Sequence, residues 1–280
     1  MTELAWGRRY LMCPPAFFSV LYEINPWMHR EVSVDVELAH EQWSQLVACL
    51  RSAGAEVELL DPVEALPDLV FTANAGVVSR DLFVPARFLH PQRQGETSHD
   101  VEWFAMRGWR VRELPEGLHQ EGAGDALPFG ELFVAGYRIR SDVRSHAELS
   151  SLTGVPVRSV ELADPRLYHL DLTFCPLDDR RAITVPAGWD EYGRRLVKEL
   201  VPEPLPLELD EALSFAANSV VVGRNVVMPD CPPRIGRQLE AWGFDVAVVD
   251  VSEFRKAGGG PRCLTLALDV AVGALGNVGP

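Results

Sequence analysis

The sequence predicts an α/β fold built as a ring of five repeated units. The first observation is a pattern of short strand, loop, apolar strand, turn and strand that recurs five times along the chain. The second is that polar residues recur in register, 45 to 51 residues apart, at Asn74, Asp125, Asp171, Asn218 and Cys263. The third is that amphipathic helices lie between the copies. Radial repetition would bury the inner strands and protect the sheet edges.

The five copies differ in sequence but keep the same order of segments. The copies are residues 55–60, 68–78 and 81–86; then 109–114, 119–129 and 131–136; then 155–162, 168–177 and 181–187; then 205–209, 214–222 and 225–230; and finally 244–251 and 257–268. The fifth copy lacks its third strand, and we expect residues 11–15 to supply that strand and close the ring. Apolar residues at helical spacing predict helices over 36–53 and 234–243.

The main alternative to the ring is a doubly wound α/β sheet, which also alternates strands and helices. The regular spacing favours the ring, and no glycine-rich phosphate loop opens a helix in this sequence. We therefore expect residues 1–280 to form a single domain.

Composition narrows the classes of partner. The formal charge is −14, which disfavours nucleic acid and would attract a cationic small molecule. No apolar run is long enough to span a membrane, and the N-terminus lacks the apolar region of a signal peptide, so a cytoplasmic protein is expected. The five cysteines include no CxxC pair, which predicts a reducing compartment and no zinc ribbon.

Polar residues of the repeated segments predict a site on the axis of the ring. Buried carboxylates are costly unless they meet a partner, so carboxylates that converge on one cavity indicate a cation site. His169 and Asp171 stand two residues apart in a segment that we interpret as a strand, where both would face the same way. A His-x-Asp pair also binds metals, but without further clustered ligands we expect none.

Residues 256–266 contain the sharpest motif. Three glycines and a proline precede Cys263, which predicts an irregular backbone close to a functional group. Cys263 is thus a candidate nucleophile, with His169 as its base. Glu121 and Asp125 flank two glycines in QEGAGDAL, and one of these acids could orient the histidine; the alternative is a glycine-rich turn with solvated acids.

These motifs together resemble a known superfamily. HQEGAGDAL, GYRIRS, YHLDLTF and KAGGGPRC are similar to segments of the guanidino-group-modifying enzymes, which include arginine deiminases, dimethylarginine dimethylaminohydrolases and amidinotransferases. The resemblance covers nearly the whole chain and implies a five-bladed α/β propeller. The stretches MCPP, YEINPWM, FTANAG and FLHPQRQGE look closest to the arginine dihydrolase branch.

The resemblance implies a role for each matching residue. Cys263 would be the nucleophile, His169 the general acid and base, and Glu121 the acid that orients the histidine. The substrate-binding set would be Asn25, Asn74, Arg93, Asp125, Arg140 and Asp171. Among these, Asp171 would grip the guanidinium and the two arginines would hold the substrate α-carboxylate. No cofactor or metal is implied, and the segment 19–32 is either a lid over the site or a packed arm.

One departure from the deiminases sets the expected reaction. Where deiminases carry an aspartate in the FTANAG position, this chain has Asn74, as does the dihydrolase branch. We therefore expect an arginine dihydrolase that gives ornithine, ammonia and carbon dioxide. Dimethylarginine hydrolysis and arginine deimination are the alternatives, and amidino transfer is less favoured. A non-catalytic arginine sensor would lack the Cys–His pair, which is present here.

Overall fold

A computed structural model of the chain describes residues 3–272, which form five three-stranded sheets arranged as the blades of an α/β propeller. The strands are β1 (Arg9–Met12), β2 (Glu56–Leu59), β3 (Gly76–Ser79), β4 (Leu82–Pro85), β5 (Arg110–Val111), β6 (Ala126–Phe129), β7 (Leu132–Tyr137), β8 (Val157–Glu161), β9 (Phe174–Pro176), β10 (Arg181–Thr184), β11 (Glu203–Pro206), β12 (Val220–Val222), β13 (Asn225–Met228), β14 (Asp245–Val248) and β15 (Leu266–Ala267). The helices are α1 (Val36–Ser52), α2 (Glu96–Met106), α3 (Val143–Thr153), α4 (Glu191–Leu200), α5 (Leu209–Leu213), α6 (Pro233–Ala241) and α7 (Ser252–Arg255).

Every blade has the same pattern of strand pairing, with the middle strand antiparallel to the first strand and parallel to the third. In the second blade, β4 pairs antiparallel with β3 and parallel with β5, and α2 makes the crossover that a parallel pair requires. The first strand of that blade is fully buried, whereas the third is partly exposed. The buried first strands therefore line the interior of the ring.

The strands divide between blades differently from the predicted copies. The first run of each copy does not join the two strands that follow it; it completes the sheet begun by the preceding copy. For example, residues 109–114 provide β5, which pairs with β4. The reason is that a crossover helix (α1, α2, α3, α4 or α6) follows the second strand of each sheet and returns the chain to that same sheet, so the repeat begins at the antiparallel pair of strands.

The two ends of the described chain close the ring, as the sequence predicts. β1 pairs antiparallel with β15, with Tyr10 opposite Ala267 and Leu11 opposite Leu266, and pairs parallel with β2. One blade is thus shared between the N-terminal and C-terminal segments, and the doubly wound alternative is excluded.

Local sequence explains the helices and turns that frame the blades. Asp35 caps α1 by accepting a hydrogen bond from the backbone N–H of Leu38 (3.1 Å), and the buried face of α1 carries Leu46 and Leu50. The hairpins β3–β4, β6–β7 and β12–β13 turn through two residues, the first of which has positive φ at Arg80, Gly130 and Gly223. Among residues 3–272, none of the helices is long and apolar enough to cross a membrane.

Candidate active site

The loops that lead into the first strand of each blade meet at one place. Asn74 Nδ2 donates to the backbone oxygen of Glu121 (2.9 Å), and Asn218 Nδ2 donates to that of Asp171 (3.2 Å). The backbone N–H of Ala73 donates to the Cys263 carbonyl (3.1 Å). Neighbouring blades are therefore joined by hydrogen bonds that run around the axis.

The backbone that carries these residues is not the predicted strand. Short 3₁₀ turns at Thr72–Ala75, Gly122–Gly124 and Leu170–Leu172 precede the strands. Strand periodicity therefore does not apply to His169, which directly precedes the Leu170–Leu172 turn, or to Asp171, which lies within it. His169 contacts Glu121, whereas Asp171 contacts Cys263.

Cys263 is buried, with 3 % of its surface exposed, and its Sγ has two polar neighbours. Sγ donates to Asp171 Oδ2 (3.2 Å) and lies 3.2 Å from Asn218 Nδ2, which donates to it. Burial, together with the Asp171 carboxylate, raises the pKa of Cys263 well above its usual range. The free site therefore holds a thiol, and a bound cation would shift it toward the thiolate.

One carboxylate oxygen of Asp171 has no hydrogen-bond partner among the described residues. Burial raises the pKa of Asp171 to about 6. Its Oδ2 contacts Cys263, while Oδ1 is buried without a hydrogen-bond partner among the described residues. An unpaired carboxylate oxygen next to a thiol is suited to a cationic N–H donor.

His169 is held by a buried carboxylate. Its Nε2 lies 2.9 Å from Glu121 Oε2, and Arg140 Nη1 donates to the same oxygen (2.9 Å). Burial by itself would raise the pKa of Glu121, but the Arg140 guanidinium, the contact with His169 and the Arg93 guanidinium together outweigh burial and hold that pKa well below its usual range. Glu121 is thus an ionised acceptor that orients the imidazole and leaves Nδ1 for proton exchange.

Asp125, which is predicted to bind substrate, is hydrogen-bonded within the protein. Its Oδ2 accepts from the Ser141 hydroxyl (2.6 Å), and its Oδ1 accepts from the backbone N–H of Leu170 (3.0 Å). Asp125 is fully buried and does not line the cavity beside Cys263. Both oxygens are thus engaged within the protein, and the bond to Leu170 supports the turn that carries His169.

The two candidate carboxylate-binding arginines are not equivalent. Arg93 forms a bidentate pair with Glu96 (2.8 and 2.8 Å), and it also donates to Asn74 Oδ1 (2.9 Å) and to the Asp68 carbonyl (3.2 Å). Four of its five N–H groups are therefore occupied. A bidentate grip of Arg93 on a substrate carboxylate, which the resemblance implies, would require the pair with Glu96 to break.

Arg140 retains more free donors. Its Nη1 donates to Glu121 and its Nη2 donates to the Ile24 carbonyl (2.8 Å), which leaves three N–H groups without a partner among the described residues. Its guanidinium lies over the Tyr168 ring, 4.9 Å from the centroid. Arg140 is therefore the stronger candidate for binding an anion.

A small cavity opens beside Cys263. It is lined by Ile24, Asn25, Met28, Asp68, Phe71, Asn74, Arg93, Arg140, Tyr168, Ala257, Gly259 and Cys263. Glu121 and Asp171 are hydrogen-bonded to the lining residues Arg140 and Cys263, and His169 is hydrogen-bonded to Glu121. Within the segment 19–32, Ile24, Asn25 and Met28 cover the cavity, and Asn25 Nδ2 donates to the Ala257 carbonyl (3.0 Å).

Sequence reasoning missed Asp68, which is a charged residue in the apolar run LPDLVF. Its Oδ2 accepts from the Tyr22 hydroxyl (3.0 Å), and its Oδ1 is buried without a partner among the described residues. A single acid within a run of buried residues was the available signal. Across residues 3–272, no group of three or more His, Cys, Asp or Glu side chains is placed to hold a metal ion.

Comparisons with known proteins agree with this geometry. The chain is 41% identical over 261 residues to the dimethylarginine dimethylaminohydrolase of Mycobacterium tuberculosis, covering 93% of this chain and 86% of that protein. It is 42% identical to the bifunctional arginine dihydrolase/ornithine cyclodeaminase AgrE of a Nostoc species, where it covers 92% of this chain but 37% of that protein. No protein-family model matches the chain.

A solved structure shows the same architecture. The N-terminal domain of the cyanobacterial arginine dihydrolase ArgZ, bound to substrate with a cysteine changed to serine, superposes with a TM-score of 0.91 at 39% identity, covering 94% of this chain and 99% of that domain. The substituted cysteine matches Cys263. The chain belongs to the guanidino-group-modifying superfamily, in the group of amidine C–N hydrolases that contains the dimethylarginine dimethylaminohydrolases and the arginine dihydrolases.

Proposed function

We propose that this protein is an arginine dihydrolase, which converts arginine and two waters to ornithine, two ammonia molecules and carbon dioxide. The observation that carries the proposal is the state of Asn74. Its Oδ1 accepts from Arg93, one amide N–H donates to the Glu121 carbonyl, and the other N–H is left at the cavity. A neutral donor beside the reacting carbon suits a reaction that passes through an uncharged ureido group.

Substrate binding follows from the distribution of charge. The guanidinium would donate to the free Oδ1 of Asp171 beside Cys263. The α-carboxylate would meet the free N–H groups of Arg140 and the remaining one of Arg93. The α-ammonium would meet Asp68, whose Oδ1 is also unpaired. Asn25 would hold the segment over the bound substrate through Ala257.

The first half of the reaction is a deimination. The bound cation favours the Cys263 thiolate, whose sulfur attacks the guanidinium carbon. His169, held by Glu121, protonates one terminal nitrogen, the C–N bond breaks, and ammonia leaves. His169 then takes a proton from water, which adds to the carbon of the thiouronium; the C–S bond breaks and citrulline remains in the site.

The second half repeats the attack on the ureido carbon. Negative charge now develops on the ureido oxygen, where the free N–H of Asn74 can stabilise it. A second ammonia leaves, and water releases the carbon from Cys263 as a carbamate, which loses carbon dioxide to give ornithine. Since all five cysteines are free thiols and the mechanism needs one reduced, the proposal includes a cytoplasmic location.

Dimethylarginine hydrolysis is the second candidate function. The specific observation in its favour is the 41% identity to a dimethylarginine dimethylaminohydrolase over most of that protein's length. Both reactions share the thiolate attack and differ in the leaving amine and in whether citrulline is the end point.

The test is to supply arginine and asymmetric dimethylarginine separately and to measure ammonia, dimethylamine, citrulline and ornithine. The proposal expects ornithine from arginine, little dimethylamine from dimethylarginine, and no turnover by Cys263→Ser with an unchanged fold. Dimethylamine with citrulline as the main products would support the second candidate instead. Turnover by the serine variant would remove Cys263 from the mechanism.

A further inference from the structure

We propose that Asn218 is a further catalytic residue, whose side-chain amide donates a hydrogen bond to Cys263 Sγ and stabilises the thiolate that attacks the substrate. This inference rests on the proposed function because it takes Cys263 as the attacking atom. Asn218 is fully buried in the turn before β12, which belongs to the blade β12–β13–β14; Cys263 precedes β15 of the next blade.

The orientation of the Asn218 amide is determined by its other contacts. Its Oδ1 accepts from the backbone N–H groups of Arg262 (3.1 Å) and Cys263 (3.3 Å). Its Nδ2 donates to the Asp171 carbonyl (3.2 Å) and to Cys263 Sγ (3.2 Å). A flipped amide would place N–H against N–H and oxygen against oxygen, so the donor must face the sulfur.

The polar groups at Sγ have opposite effects on the thiolate. Burial and Asp171 raise the pKa of Cys263, whereas the Asn218 amide and the backbone at Gly260 lower it. Tyr168 also interacts electrostatically with this thiol. Asp171 is expected to be neutralised by the bound guanidinium, so Asn218 remains as a donor whose effect does not depend on substrate.

The surrounding backbone permits this close approach. A Cβ at Gly260 would lie 2.7 Å from Asn218 Oδ1, so a side chain there would displace the amide. The turn that carries Asn218 includes Phe215 at φ +69°, which is a strained conformation for a phenylalanine, and the Asn218 N–H donates to the Phe215 carbonyl (2.8 Å). Strain of this kind persists where the surrounding structure holds a functional residue in place.

The test is a titration of the Cys263 thiol in Asn218→Asp. Aspartate keeps an oxygen for the two backbone N–H groups but places a carboxylate oxygen where the donor was. We expect alkylation of Cys263 by iodoacetamide, mapped by mass spectrometry, to slow about tenfold at neutral pH, which corresponds to a pKa rise of about one unit. We expect kcat for arginine to fall at least as far, with a much smaller change in KM.

Asn225→Asp is the matched control, because it makes the same charge change in the same blade at a hairpin turn away from the site, where Asn225 Nδ2 donates to the Val222 carbonyl (3.3 Å). It should leave both the alkylation profile and kcat unchanged. If the Asn218→Asp profile matches the wild type, or if Asn225→Asp shifts it equally, the inference is wrong.

If the aspartate variant does not fold, the same alkylation experiment on Asn218→Ser tests the inference. Serine removes the donor without adding charge, so the alkylation rate should again fall, by less than with aspartate, and an unchanged rate would refute the inference. The titration needs no substrate. Failure of the wild type to act on arginine would therefore overturn the proposed function and leave the thiol result to be judged separately.

Discussion

Replacing Asn74 with aspartate should redirect the products from ornithine toward citrulline. The present amide donates to the Glu121 carbonyl at 2.9 Å and has a second N–H at the cavity. In Asn74→Asp both donors are lost, while the oxygen that accepts from Arg93 at 2.9 Å is retained. The guanidinium of arginine is still bound, because an added carboxylate favours a cation, but the ureido oxygen of the second step is repelled.

The magnitude follows from the loss of one donor to a developing oxyanion, which typically reduces a rate 10²- to 10³-fold. We expect the second step to slow by about that factor and the first step by much less. Setting a carboxylate oxygen against the Glu121 carbonyl should also lower the free energy of unfolding by about 1–3 kcal/mol, which a urea titration would report.

The assay is a time course of citrulline and ornithine formed from arginine by wild type and variant. Asn25→Asp is the matched control, since it adds the same charge to the same cavity but changes a residue bonded to Ala257. That control should leave the citrulline-to-ornithine ratio unchanged even if binding weakens. An Asn74→Asp enzyme that still forms ornithine without citrulline would refute the reasoning.

Three other predictions follow from the site. Arg140→Ala should raise KM for arginine more than Arg93→Gln does, because Arg140 has three free N–H groups and Arg93 has one. Equal increases in KM, or turnover of agmatine as fast as arginine, would contradict this. Burial raises the pKa of Asp171 to about 6, so kcat/KM should fall as the pH drops below about 6 and the carboxylate loses its charge; a flat profile from pH 5 to 8 would contradict this. Burial likewise raises the pKa of Asp125 from 3.8 to about 6. Its protonation therefore stabilises the fold fully below about pH 4, and this contribution is lost as the pH rises through 6. The free energy of unfolding, measured by urea titration at pH 4 and pH 7, should change less between the two pH values in Asp125→Asn than in the wild type.

The repeat and the closure of the ring were predictable from sequence, and polar residues in register within apolar segments marked Asn74 and Cys263 as positions near the axis. Asn25, Arg93 and Arg140 also line the cavity, but only the resemblance pointed to them. The division of strands between blades was not predictable, since the pattern does not reveal which hairpin a crossover helix returns to. Asn218 illustrates the same limit within the site: its register placed it at the axis, but only the coordinates show that it donates to Cys263 Sγ.

The local backbone conformation of the site loops was predicted least well from the sequence. Apolar and polar residues alternate across 168–174, as in a strand, yet Leu170–Leu172 is a 3₁₀ turn because its backbone bonds locally and to Asp125. The pairing of Arg93 with Glu96 was equally hidden, although the two residues are three apart. Such pairings depend on which side chains are buried together, and a one-dimensional pattern does not specify that.

The most direct test of the central claim is to follow arginine labelled with ¹³C at the guanidinium carbon by NMR in the presence of the enzyme. The dihydrolase account predicts that the label appears as bicarbonate, with one ornithine and two ammonia molecules formed for each arginine consumed. Label that stops in the ureido carbon of citrulline, with one ammonia for each arginine, would contradict the account and identify a deiminase.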